Sequence, residues 1–143
     1  MNADTRAKRS AEAMWSTDNA SKWFGMELVE VTEASAVMRL TVQAQHCNGH
    51  NICHGGVTFA LADSAFAFAC NSRNQNTVAQ TNLISFTAPA YEGDVLTATA
   101  TEISISGRSG IYDVTVRNQN DMVIGEFRGM SRAIKGNLFD EEA

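Results

Sequence analysis

From Val57 to Cys70 the chain is built mainly of Ala and Phe, with Leu61, and apart from the thiol that ends the run its one ionisable group is Asp63. Leu, Ala and Phe are good or acceptable helix formers, and the run is long enough for about four turns at 3.6 residues per turn. A helix that is apolar on every side must be enclosed on every side. The rest of the chain is therefore organised around this rod. His54-Gly55-Gly56 directly precedes it, so the first backbone N–H groups are sterically open and lie at the positive end of the helix dipole.

At 100° per residue, Gly56, Phe59, Ala60, Phe66, Ala67 and Cys70 fall within about 60° of Asp63, and Val57, Leu61, Ala65 and Phe68 lie on the far side. The Asp63 stripe is mostly small, as a close neighbour or a ligand requires. Burying a lone carboxylate is costly and raises its pKa unless donors surround it. Its alternative role is structural, capping a loop or pairing with a buried Arg. Asp63 follows Gly55 by eight residues, roughly 12 Å along the axis at 1.5 Å per residue. One carbonyl cannot touch both. If the two groups cooperate, they come from two copies of the helix running antiparallel across a two-fold axis. A homodimer is then obligatory for catalysis, and a homotetramer is the expected assembly.

The chain of 143 residues is expected to form a single domain spanning 1–143, with 1–9 and 136–143 flexible. A net charge of −5 and a pI near 5.1 argue against nucleic acid as a partner. No run of some 18 apolar residues and no signal-peptide pattern occurs, so no membrane association and a cytoplasmic location are expected. The three cysteines read as reduced thiols. Cys47, His50, Cys53 and His54 include the right ligand types for zinc, but their spacing matches no closed Cys2His2 pattern, and no metal site is read there. Cys70, at the buried end of the rod with no cation assigned to it, is a poor nucleophile.

Helical pattern runs from about Ser10 to Phe24, broken near Ser16-Thr17-Asp18, where Asp18 caps a second short helix; Gly25 stops it. Met26–Val31 and Ala36–Val42 read as a hairpin, the second arm alternating with period 2. A polar loop, Gln43 to Asn51, leads to the rod. Beyond it the chain reads as strands at Thr77–Thr87, Asp94–Ser106, Ile111–Arg117 and Met122–Ile134, the last three joined by short turns. Long strands with short turns pair antiparallel, and one buried helix needs a sheet curved around it. The fold class is α+β.

A long apolar helix wrapped by five or six antiparallel strands describes the hotdog fold. The central stretch resembles the PaaI-type (phenylacetic acid degradation) branch of hotdog acyl-CoA thioesterases. The resemblance rests on Asn48-Gly49, His54-Gly55-Gly56, Leu61-Ala62-Asp63 with Ala65-Phe66-Ala67, and Asn71-Ser72. Downstream it adds Pro89 with Gly93-Asp94, Gly110-Ile111-Tyr112-Asp113 and Phe127-Arg128-Gly129. It covers roughly residues 10 to 134 and implies hydrolysis of an acyl-CoA thioester, often an aryl-acetyl one, with no cofactor. In such a family the Gly55 N–H polarises the thioester carbonyl, helped by Asn48. Asp63 of the other subunit acts as nucleophile or as general base. Substrate contacts are expected from His54, Gly56, Phe59, Phe66 and Thr81, with Thr81 orienting Asp63 or water. His54 is further expected to set the turn by bonding a backbone carbonyl, and Phe59 and Phe66 also suit a core. Relatives often place Arg where Ala88 stands, which leaves Arg108, Arg128, Arg132 and Lys135 as candidates for the CoA phosphates. Two alternatives are a hotdog hydratase or dehydratase, for which no second acid is placed, and a non-catalytic acyl-CoA-binding protein.

Overall fold

A computed structural model describes residues 1–141. Helix α3, Gly55–Cys70, lies in the concave face of one six-stranded antiparallel sheet. The strands are β1 (Glu27–Thr32), β2 (Ser35–Thr41), β3 (Thr77–Phe86), β4 (Val95–Ser106), β5 (Ser109–Arg117) and β6 (Val123–Ala133). Their order across the sheet is β1-β2-β4-β5-β6-β3, so β1 and β3 form its edges. This is the hotdog arrangement that the rod and the period-2 segments imply. Ala36, Met38 and Leu40 of β2, Leu96, Ala98 and Ala100 of β4, and Tyr112, Val114 and Val116 of β5 all point inward and are buried. The alanines let three strands approach the helix closely, while Phe66 and Phe68 fill the wider space on its two sides.

Helix α1 spans Ala3–Thr17 and α2 spans Asn19–Phe24. Asp18 caps α2, its carboxylate accepting from Ser21 N at 2.9 Å, and Gly25 closes it at φ 85°. Both features follow from local capping chemistry. The segment expected to fray is instead helical from Ala3. Asn2 Oδ1 accepts from Thr5 N at 2.8 Å, and Ala7, Ser10 and Ala11 are buried where α1 lies against β1. Small side chains make that contact, so no apolar stripe announces it.

The C-terminal segment from residue 136 is likewise held. Buried Asn74 accepts on Oδ1 from Leu138 N at 2.9 Å and Phe139 N at 3.1 Å, and its Nδ2 donates to Phe139 O at 2.9 Å. Arg6 pairs with Glu141 at 2.6 Å. The expectation of a loose acidic end is therefore corrected as far as Glu141; Glu142, which also belonged to that expectation, lies outside the described residues. At the far end of α3, Asn71 bridges Ala67 O (2.9 Å) and Thr77 O (3.0 Å) and accepts from Thr77 N. That amide fixes where β3 starts relative to the helix.

One irregularity in β3 governs what it presents to α3. Ala79 pairs with Ser131 and Thr81 with Met130, leaving Gln80 as an additional bulged residue. Uninterrupted alternation would place Thr81 on the inner face with Ala79. The bulge shifts the phase by one, so Asn82, paired with Gly129, faces the helix and Thr81 faces out.

Candidate active site

The start of α3 is shaped by its own N-cap. His54, extended at ψ 134°, accepts the Gly56 N–H on Nδ1 at 2.8 Å. The expectation that its ring bonds a carbonyl is corrected: the imidazole takes an orphan helix donor, the usual work of an N-cap. Gly56 is needed beneath it, since a Cβ there would lie 3.0 Å from Nδ1. With Gly56 satisfied and Val57 N bonded to His54 O at 2.9 Å, the Gly55 N–H finds no acceptor among the described residues. A Cβ at Gly55 would sit 2.9 Å from the Phe86 ring. The ring thus lies directly against the helix start.

The loop before the helix brings Asn48 to the same place. Its Oδ1 accepts from His50 N at 2.9 Å and Ile52 N at 3.4 Å, an Asx turn that spends the carbonyl oxygen on the loop. Its Nδ2 has no acceptor among the described residues. Asn48 and Gly55 line one cleft of about 480 Å³, walled by Ile52, Phe86, Pro89 and Ile124. Two N–H donors at the edge of an apolar slot suit one carbonyl oxygen and the acyl chain attached to it. Ala88 also lines this cleft and brings no charge to it.

Asp63 is not part of that cleft. It sits two turns further along α3, half-buried, with Asn82 Nδ2 donating to its Oδ1 at 2.8 Å. Burial pushes its pKa above the usual carboxylate range, and the Asn82 hydrogen bond opposes that shift. The geometry therefore puts the helix-start donors and the acid of one chain in separate places.

The other expected residues divide. Phe59 is half-buried, one turn before Asp63, and meets Phe127 edge-on at 5.6 Å. Phe66 is 1% exposed, packed between Tyr112 and Phe127. Its ring fills the space that the missing Cβ of Gly129 leaves open, so it belongs to the core and lines no acyl pocket. Thr81 faces away from Asp63, and Asn82 takes the place expected of it. Sequence reading missed Asn82, although an Asn in the middle of a strand of Val, Ile, Leu and Thr is itself a signal, since strands are depleted in Asn. Among the phosphate candidates, Arg128 is engaged by Asp113 in two hydrogen bonds of 2.6 and 2.8 Å. Arg108 and Lys135 line a separate open pocket with Gln75. Burial pushes the Cys70 thiol up to about 12, far from a reactive thiolate.

Comparison with known proteins fits this geometry. Residues 50–124 match the family described as the thioesterase superfamily. The acyl-coenzyme A thioesterase PaaI of Escherichia coli is 41% identical over 95% of this chain and 97% of its own length. The solved structure of the E. coli PaaI protein from the phenylacetic acid degradation operon superposes with a TM-score of 0.93 at 40% identity, covering 95% of this chain and 99% of that one. The TT0310 protein of Thermus thermophilus superposes with a TM-score of 0.77 at 32% identity, covering 80% and 96%.

Proposed function

This chain belongs to the thioesterase superfamily, and from that premise we infer that it hydrolyses acyl-CoA thioesters to the free acid and CoA, with aryl-acetyl groups as the acyl class. The observation that carries the reading is the pair of unspent donors, Gly55 N–H and Asn48 Nδ2, at the edge of an apolar cleft. The thioester carbonyl oxygen accepts from both, so charge that develops on it in the tetrahedral intermediate meets fixed dipoles at a helix N-terminus. Ile52, Phe86, Pro89 and Ile124 wall the acyl slot. The partner subunit's Asp63 attacks the carbonyl or takes a proton from the attacking water, and the CoA thiolate leaves.

A second copy of the chain supplies that acid. β3 is a sheet edge and exposes Leu83 (70%), Phe86 and Val78, an apolar edge that calls for cover. Antiparallel pairing of two β3 edges continues the sheet and sets the two α3 helices antiparallel, bringing the start of one beside the middle of the other. Two such dimers joining into a tetramer is the assembly that goes with this reading. The test is a panel of aryl-acetyl, straight-chain and short acyl-CoA thioesters with a thiol reagent to report free CoA. Turnover with the highest kcat/KM on phenylacetyl-type substrates is expected. Silence across the panel overturns the reading.

A further inference from the structure

We propose that Asn82 is a positioning residue of the hydrolytic site, one that holds Oδ1 of Asp63 so that Oδ2 is the oxygen presented to the thioester or to water. The inference rests on the thioesterase reading and adds a residue that acts on the reaction through Asp63 alone.

Three observations carry it. The first is the bond itself, Nδ2 to Oδ1 at 2.8 Å. The second is what the rest of the amide does: Asn82 Oδ1 is buried and has no hydrogen-bond partner among the described residues. An unmade bond on a buried polar atom costs about 1–3 kcal/mol, and a leucine would fill the same space without it. The fold gains nothing from this amide except its contact with Asp63. The third is how the side chain comes to face inward. The bulge at Gln80 resets the phase of β3, and Gly129, directly opposite Asn82, leaves room for the Phe66 ring beneath. A bulge that re-aims one side chain beside a reacting group is a recurrent use of this irregularity.

Among the described residues no other side chain hydrogen-bonds the Asp63 carboxylate. β3 carries no ionisable residue. On β4 and β5, Glu102 is held by Arg73 and Tyr112, and Asp113 by Arg128 of β6. The Cys70 thiol, whose ionisation is further opposed by the Asp63 charge, stays protonated. Asp63 is thus tuned by burial and by Asn82. Fixing one carboxylate oxygen halves the orientations from which the other can react, and small misplacements at a reacting centre cost about 10²-fold in rate.

The experiment measures kcat, KM and the pH profile of kcat/KM with phenylacetyl-CoA for Asn82→Leu, which keeps the branched skeleton without a donor, and Asn82→Ser, which restores a small donor. For Asn82→Leu the expected result is a fall of about 10²-fold in kcat with KM within about twofold. Its acid limb moves to higher pH, because the donor that favours the ionised carboxylate is gone. Asn82→Ser recovers part of both. A ¹³C titration of the Asp63 carboxyl in the wild type and in whichever variant folds reports the same shift without turnover. An active wild type whose acid limb and Asp63 titration are unmoved in these variants overturns the role of Asn82 alone. A wild type inactive on every thioester overturns the hydrolytic reading instead.

Discussion

Asn82 Nδ2 donates to Asp63 Oδ1 across 2.8 Å from a strand whose inward-facing phase is reset by a one-residue bulge at Gln80. The acid is therefore held between opposing effects. Burial disfavours its charge and the amide restores part of it. A carboxylate kept ionisable in such a place is a local cost to the fold, and that cost is separable from activity by mutation.

Asp63→Asn is expected to remove turnover and to stabilise the fold. General-base or nucleophilic work of this kind contributes about 10²–10⁴-fold, so kcat should fall by at least about 10² while Asn82 still finds an oxygen acceptor. Because the folded-state pKa of Asp63 is raised, its charge destabilises the fold at pH values above that pKa. The penalty fades as pH falls and is absent below the unfolded carboxylate value of about 3.9. Thermal unfolding should show a higher Tm for the variant at neutral pH and no difference near pH 3. Equal Tm at pH 7 would contradict a desolvated acid.

Gly55→Ala tests how tightly Phe86 closes on the helix start. A Cβ at 2.9 Å from the ring forces the ring outward or the backbone back, at a cost of about 1–3 kcal/mol for overpacking. The ring is half-exposed, so the low end is expected in Tm. The larger effect should be a fall in kcat, since the Gly55 N–H moves with its backbone. Combining it with Phe86→Leu should return most of the lost Tm, a coupling that additive, unconnected sites would not show.

How much of this was legible in the chain depends on how local each cause is. The break at Asp18 and the stop at Gly25 are cap chemistry, complete within a few residues, and both could be read. So could the alternation of β2, where Ala36, Met38 and Leu40 face the core. The outward turn of Thr81 could not, because a bulge at Gln80 exists only in the pairing with β6. Phe66 shares the helix side of Asp63 yet is sealed, since the space for its ring is opened by Gly129, 63 residues away in the chain. The tail from residue 136 reads as polar and loose because its partner, Asn74, is equally distant. That His54 shapes the turn is readable from its place before two glycines, but which backbone group its ring meets is decided by its extended ψ.

Asn74→Ala should release that tail. It removes an acceptor shared by two N–H groups and a donor to Phe139 O, and it places Ala at φ 61°, which alanine tolerates poorly. A loss of about 2–4 kcal/mol is expected. Limited proteolysis should then clip beyond Ile134 while the sheet stays intact, and unchanged cleavage kinetics would argue against the anchor.

The Arg73 cluster makes stability depend on pH in the opposite sense to Asp63. Arg73 bonds Glu102 at 2.6 Å and Glu33 at 3.0 Å, and the guanidinium holds the Glu102 carboxyl below the usual range. A depressed folded pKa gives stability that is present above the unfolded value of about 4.3 and is lost as pH falls through the folded one. The pair is partly exposed, so about 0.5–1 kcal/mol is expected. Glu102→Gln retains an acceptor for Tyr112 OH, 2.8 Å away, and should lower Tm by about 2–4 °C at pH 7. At a pH below the folded value the difference should close.

Subunit mixing addresses the separation of donors and acid most directly. Within one chain Gly55 and Asp63 are two turns apart on one uninterrupted helix, and the cleft at Gly55 is not lined by Asp63. A site built from two copies makes each dimer carry two such sites, each taking its donors from one chain and its acid from the other. Asp63→Asn and Gly55→Ala homodimers are each impaired at both sites. In a mixed dimer one site inherits both defects and the other inherits neither. Unfolding and refolding an equimolar mixture should therefore restore about a quarter of wild-type turnover, half the dimers being mixed and half their sites intact. Activity that stays at the level of the two separate variants would place donors and acid in the same chain. The helix would then have to break or the substrate to span both groups, and the uninterrupted run of α3 from Gly55 to Cys70 argues against the first.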